Sequence, residues 1–306
     1  MNQKRVSLRG ILGFPVAPYL PSGAIDENAL FRNVSYLIDE GLDSIFIACG
    51  AGEFQTLSSD EYGVMLDVAI DAAKGRVPVY SGVGGNLSYA LEQVKLSEKK
   101  GMEGYLILPP YLIDGEQEGL YQYIRTILEA SDLNAIVYQR DNAVLDLNSL
   151  QSLLSYDQLI GLKDGIGNME SNIIFTQYIG DRLNWLNGMP MAEVTMPAYH
   201  ALGFKSYSSA ISNYIPHISR QFYSALLEGK DEQVSEIYKD VILPINEIRK
   251  QRKGYAVSLI KAGMEIVGMS VSNIVRPPVV PVEKDHYKQL EKILDKAHRK
   301  YPAVRI

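Results

Sequence analysis

Only one of the 306 residues is a cysteine, Cys49, so no disulfide can form within the chain. That scarcity fits a reducing compartment, where thiols stay free. Histidine is almost as rare. His200, His217, His286 and His298 show neither i,i+4 pairing nor clustering with cysteine, so no metal site is expected. Basic residues number 30 against 36 acidic ones, and the net charge of −6 gives no field for nucleic acid. No apolar run approaches membrane-spanning length. The opening stretch MNQKRVSLRG lacks the apolar core of a signal peptide. A cytoplasmic protein with neither nucleic acid nor membrane as partner is expected.

What the chain does have is a repeating pattern. Short apolar runs, each closed by a turn, occur at GILGFPVAP (10–18), SIFIACG (44–50), VPVYSGVG (77–84) and GYLILPPY (104–111). They continue at NAIVYQRD (134–141), LIGLKDG (159–165), NWLNGM (184–189) and SYSSAIS (206–212). Between them lie stretches such as NALFRNVSYLIDEG, with apolar residues three to four apart and a closing glycine. Eight strand signals alternating with helical ones predict an α/β fold, a closed (β/α)8 TIM barrel over residues 1–218. An open doubly wound sheet is the rival, and the regular spacing favours closure. From residue 219 to 306 the pattern is helical, interrupted by RPPVVPVE (276–283), and predicts a helical extension packed on the barrel.

Barrel chemistry sits at the C-terminal ends of the strands. There the run LIGLKDG ends on Lys163, although an unpaired ammonium is costly to bury. Two readings stay open. Lys163 leaves the strand into water and pairs with Asp164, or it points into the barrel mouth as a nucleophilic amine. Alternation puts Gly161 and Lys163 on one face and Tyr138 on the matching face of the preceding strand, within range to relay protons. Lys205, at the start of its strand, and Lys261, in a helical pattern and expected to be solvated or to pack its stem, are weaker candidates. The turn ACGAGEF brings the backbone of Gly50, Ala51 and Gly52 close to any ligand, which suits a carboxylate or simply makes a tight turn. Ser208, Ser209 and Asn213 in YSSAISN and Arg140 in YQRDN could meet hydroxyls or a second carboxylate. GVGGN (82–86) lacks the full dinucleotide pattern. The run RKQRKG (249–254) reads as a solvated helix end.

Taken together, the glycine turn ending in Glu53, Tyr138 and the GLKD lysine resemble the family of aldolases and dehydratases that includes dihydrodipicolinate synthase and N-acetylneuraminate lyase. The resemblance runs over almost the whole chain. It implies the same barrel, a Schiff base on Lys163, proton relay by Tyr138 and a keto-acid carboxylate held at the glycine turn, with no cofactor. ILGFPVAP, LPPYL, VYQRDNAVL, NGMPMAEV and RKGYAVSLIKAG are closer to members that dehydrate and decarboxylate a six-carbon keto-diacid. The synthase pattern has two adjacent tyrosines where this chain has Tyr111 and Leu112, and an arginine where it has Ala143. Relatives usually carry serine or threonine at Ala51, so here N–H groups alone would hold the carboxylate. The implied partners are a keto-diacid substrate and other copies of the chain, as a dimer or tetramer. A pyruvate-dependent aldolase and a non-catalytic sugar-acid sensor are the alternatives.

Overall fold

The computed structural model describes residues 6–303. Eight parallel strands carry the barrel: β1 (Gly10–Leu12), β2 (Ile45–Ile47), β3 (Val79–Val83), β4 (Gly104–Ile107), β5 (Asn134–Gln139), β6 (Leu159–Asp164), β7 (Asn184–Asn187) and β8 (Ser206–Ser208). Each lies inside one of the eight apolar runs. They are hydrogen-bonded in the order β1-β8-β7-β6-β5-β4-β3-β2. The ring closes at Gly13, whose amide donates to Ser44 O at 2.9 Å and whose carbonyl accepts from Phe46 N at 2.7 Å. Strands β2, β3 and β4 are buried at every position, as parallel strands covered on both faces must be.

Helices α1 (Glu27–Asp39), α2 (Ser59–Ala73), α3 (Leu87–Lys99), α4 (Gln117–Leu128), α5 (Leu147–Leu153), α6 (Met169–Ile179), α7 (Met196–Ala201) and α8 (Pro216–Leu227) follow the strands in turn. Several start at the strands' C-terminal ends on polar caps. Asp26, Ser58, Asn86, Asp146 and Asn168 each accept a backbone N–H, and Ser58 with Glu61 completes a capping box. Such caps contribute about 1 kcal/mol apiece and fix where each loop gives way to helix. The boundary expected at residue 219 falls inside α8, which packs on β1 as the last helix of the barrel.

The helices that follow are α9 (Asp231–Ile237), α10 (Leu243–Lys250), α11 (Tyr255–Ile266) and α12 (Lys284–Lys300). Helix α11 is buried on most of its surface, with nine buried residues from Tyr255 to Met264, because barrel and α12 flank it. It lies against the turn after β8. A Cβ on Gly263 would stand 3.0 Å from the ring of Tyr214, so glycine permits that approach. The extension thereby sits over the strands' C-terminal ends. Among the described residues no helix is long and apolar enough to cross a membrane.

Candidate active site

Lys163 is the fifth residue of β6 and stands in register with Tyr138 on β5. Both side chains therefore face the same side of the sheet, the barrel interior. Lys163 is 5% exposed. Its Nζ lies 4.0 Å from the centroid of the Tyr138 ring and 4.2 Å from that of Phe14. Phe14 in turn stacks on Phe46, and Phe46 on Tyr80, at 4.7 and 4.8 Å. The amine thus rests on an aromatic bed.

Among the described residues no carboxylate forms an ion pair with Lys163. Asp164, its chain neighbour, points to the other face and is fully engaged there. It accepts from Ile166 N, Gly167 N, Asn172 Nδ2 and the Tyr199 hydroxyl at 3.0, 3.2, 2.8 and 2.5 Å. Burial pulls the Lys163 pKa below its ordinary value, and the Arg140 cation adds to the pull. Tyr138 and Cys49 could oppose it only as anions. The Cys49 thiol is itself pushed up to about 12 by burial, so near neutrality it supplies no counter-charge. The arrangement favours a free amine.

The Tyr138 hydroxyl donates to Gly188 O and accepts from Arg140 Nη1, both at 3.0 Å. Two glycines make this packing possible. A Cβ on Gly188 would stand 2.6 Å from Lys163 Cγ, and one on Gly165 would stand 2.8 Å from the Tyr138 ring. Neither glycine was singled out by sequence, since each matters through a contact with another strand.

A cavity of about 630 Å³ opens above the amine. Gly50, Ala51, Tyr138, Arg140, Lys163, Ser208, Ser209 and Asn213 all line it. Gly52 does not. Its α-carbon turns toward the barrel, where a Cβ would meet Ala48 Cα at 3.1 Å, so glycine serves close packing there. Within the same turn Glu53 N donates to Gly50 O and Phe54 N to Cys49 O, each at 3.2 Å. The amides of Gly50 and Ala51 have no acceptor among the described residues.

The serines differ in availability. Ser209 is committed: it donates to the Glu193 carboxylate, pairs with Ser219 Oγ at 3.0 Å and accepts from Ser212 N at 3.0 Å. Ser208 makes only a long contact to Asn187 O at 3.5 Å. Asn213 is buried with its Oδ1 unpartnered, which leaves an acceptor for a ligand hydroxyl. Glu193 was not anticipated. It is wholly buried, and burial pushes its pKa up to about 7.

The dihydrodipicolinate synthetase family model matches residues 7–297. The chain belongs to that family. A Bacillus licheniformis protein named "Probable 5-dehydro-4-deoxyglucarate dehydratase" is 66% identical over 302 residues, covering 99% of this chain and 98% of that one. A protein of the same name from Acinetobacter baumannii is 37% identical, covering 96% and 97%. Among solved structures, a dihydrodipicolinate synthase from Oceanobacillus iheyensis superposes with a TM-score of 0.87 at 26% identity, covering 94% of this chain and 96% of that one.

One sequence expectation needs correction and another needs extending. Lys261 is not solvated: it is 0% exposed and pairs with Glu53 at 2.5 Å. Its helix looked ordinary because its counter-ion lies 208 residues away in sequence. The run RKQRKG is the exposed end of α10, as expected, with only Arg249 half-buried, yet it also borders the site. Arg249, Lys250, Arg252 and Lys253 line the mouth of the cavity that holds Lys163. Among the described residues no group of His, Cys, Asp and Glu is placed to hold a metal ion.

Proposed function

We propose that this chain converts 5-dehydro-4-deoxy-D-glucarate to 2,5-dioxopentanoate, CO2 and water through a Schiff base on Lys163. The observation that carries this reading is the buried Lys163 amine, without a carboxylate partner and over the Tyr138 ring, at the floor of the cavity. The names of relatives 66% identical over nearly the full length supply the substrate.

The free amine attacks the substrate ketone at C5. Tyr138 hands a proton to the departing oxygen and recovers one from the attacking nitrogen, its oxygen held meanwhile by Arg140 Nη1. The amides of Gly50 and Ala51 hold the adjoining C6 carboxylate, each such bond contributing about 1.5–3 kcal/mol. The iminium acidifies C4. The Tyr138 oxygen takes a proton from C4, giving an enamine whose electron pair expels the C3 hydroxyl, and the same proton leaves with it as water. The unsaturated iminium then accepts the C1–C2 bonding pair as C1 leaves as CO2. Protonation at C3 and C4 and hydrolysis of the imine release the aldehyde product. Ser208 and Asn213 face the substrate hydroxyls in this reading, with Ser209 holding Glu193 behind them. Arg140 faces the distal end.

Purified protein given the keto-diacid should release CO2 and water. Release of pyruvate would favour an aldolase instead, and thermal stabilisation without product would favour a sensor. Borohydride should trap a keto-acid adduct on the native protein and none on Lys163→Ala; trapping that survives the substitution rejects the assignment.

We further propose a cytoplasmic homo-oligomer. Leu112 and Ile113, beside the cavity loop, are 101% and 65% exposed, an apolar surface suited to a second copy. Light scattering that returns a monomer mass overturns this.

A further inference from the structure

The cavity mouth carries an excess of positive charge that the barrel does not supply. Besides Lys163, its lining includes five cationic side chains, and Asp141 is the single acidic one. This happens in a chain of net charge −6. Four of the five come from the end of α10 and the turn into α11. Two of these are already answered: Lys250 pairs with Glu247 at 2.9 Å, and Arg252 pairs with Glu283. Arg249 and Lys253 form no ion pair among the described residues. Arg249 is held in place instead, its Nε donating to Asn246 Oδ1 at 3.0 Å, which leaves the outer guanidinium nitrogens for another acceptor. It is half-buried, and burial and then the neighbouring Arg140 cation depress its proton affinity against the opposing pull of Glu247, while Arg140 itself meets Asp141 at 3.4 Å.

We propose that Arg249 and Lys253, together with Arg140, form the subsite for the second carboxylate of a keto-diacid, so that the C-terminal extension selects diacids over monoacids. The proposal rests on the keto-diacid reading and adds the residues that enforce it. A guanidinium matches a carboxylate in two parallel hydrogen bonds, and lysine adds a mobile point charge. Holding the subsite at the mouth has a chemical consequence. The distal carboxylate must leave as neutral CO2, so cations that grip it strongly in the ground state would raise the barrier to that step. Half-buried and exposed cations attract and orient the anion while water still screens them. Removing them should therefore raise KM and leave kcat steady, the signature of lost uniform binding.

The test compares matched probes. Borohydride trapping on Lys163 is titrated with 2-oxoadipate, a keto-diacid, and with 2-oxohexanoate, the monoacid of the same length. The native protein should half-saturate at lower 2-oxoadipate, and the preference should shrink with added salt. In the double variant Arg249→Gln/Lys253→Gln the preference should fall about 10- to 100-fold. Arg249→Lys/Lys253→Arg, which keeps both charges, should restore most of it and reports on folding. An undiminished preference in the neutral variant, or an equal loss for both probes, overturns the proposal. Failure of the parent reading shows separately, as native protein that traps both probes but releases no CO2 from the hydroxylated diacid.

Discussion

Two lysines are buried among the described residues, and each lies over a tyrosine. Lys163 Nζ is 4.0 Å from the Tyr138 ring centroid, and Lys261 Nζ is 4.3 Å from that of Tyr19. Burial depresses the proton affinity of both. The difference is the counter-ion. Lys261 donates to Glu53 Oε1 at 2.5 Å and to Ile274 O at 2.7 Å, while Glu53 Oε2 accepts from Arg276 N at 2.9 Å. Every polar atom of that pair is answered, and the carboxylate opposes the loss of the proton. Lys163 has aromatic faces and no anion. The same side chain, buried in both places, is thus a paired cation in one and, in the proposed reaction, a nucleophile in the other.

Position sharpens the contrast. Glu53 closes the glycine turn that reaches the cavity and holds a left-handed backbone, φ 53°. Its bond to α11 ties that turn to the extension. Arg276 continues the tie, bonding Glu61 Oε2 at 2.8 Å and Thr56 O at 2.9 Å. The paired lysine therefore holds the turn whose Gly50 and Ala51 line the cavity above the unpaired one.

The largest expected break is at the unpaired site. Tyr138→Phe keeps the ring under Lys163 and removes only the hydroxyl, so imine formation should slow by about 10²–10⁴-fold with the fold intact. Tyr19→Phe removes the corresponding hydroxyl beneath Lys261 and should leave that rate alone. Stopped-flow measurement of adduct formation separates the two; equal rates in both variants would deny Tyr138 its relay role.

The paired site should break in stability. Lys261→Met leaves Glu53 buried without a cation, at a cost of about 3–5 kcal/mol. Removing both charges, in Glu53→Leu/Lys261→Met, should recover much of that loss, because the pair itself is expensive to desolvate. Urea midpoints of the three proteins give the answer, and a double variant less stable than the single one would refute the account. A smaller effect is expected from Gly188→Ala. Its methyl would press on the Lys163 stem and displace the amine, costing about 1–3 kcal/mol of strain and slowing trapping. Trapping at the native rate would show that the stem can yield.

The barrel was legible because parallel strands buried on both faces leave near-continuous apolar runs, and all eight strands fall within such runs. Lys163 was legible because it interrupts one. The cradle around it was not. Gly165 and Gly188 matter through contacts with other strands, and a lone glycine carries no trace of its neighbour. Lys261 hid because its partner sits on a different turn of the chain. The basic turn at 249–254 looked solvated, as charge runs usually are, and only the seating of α10 and α11 over the barrel brings it to the cavity.

The smallest predicted effect draws the comparison most finely. At Lys163 the folded-state pKa is lowered, so between it and the ordinary value near 10.4 the unfolded chain binds more protons than the folded one. Stability should then rise with pH across that window, and the cost of burying the cation should be felt in full below it. Lys163→Met abolishes that cost. It should therefore be more stable than the native protein near neutrality, with the advantage shrinking as pH climbs toward about 10. Lys261→Met should behave oppositely and lose stability, since its amine is the answer to a buried carboxylate. Urea midpoints at about pH 6 and pH 9 decide it. A Lys163→Met protein less stable than native at the lower pH would mean that an unseen anion holds this amine charged, and the distinction between the two lysines would fall.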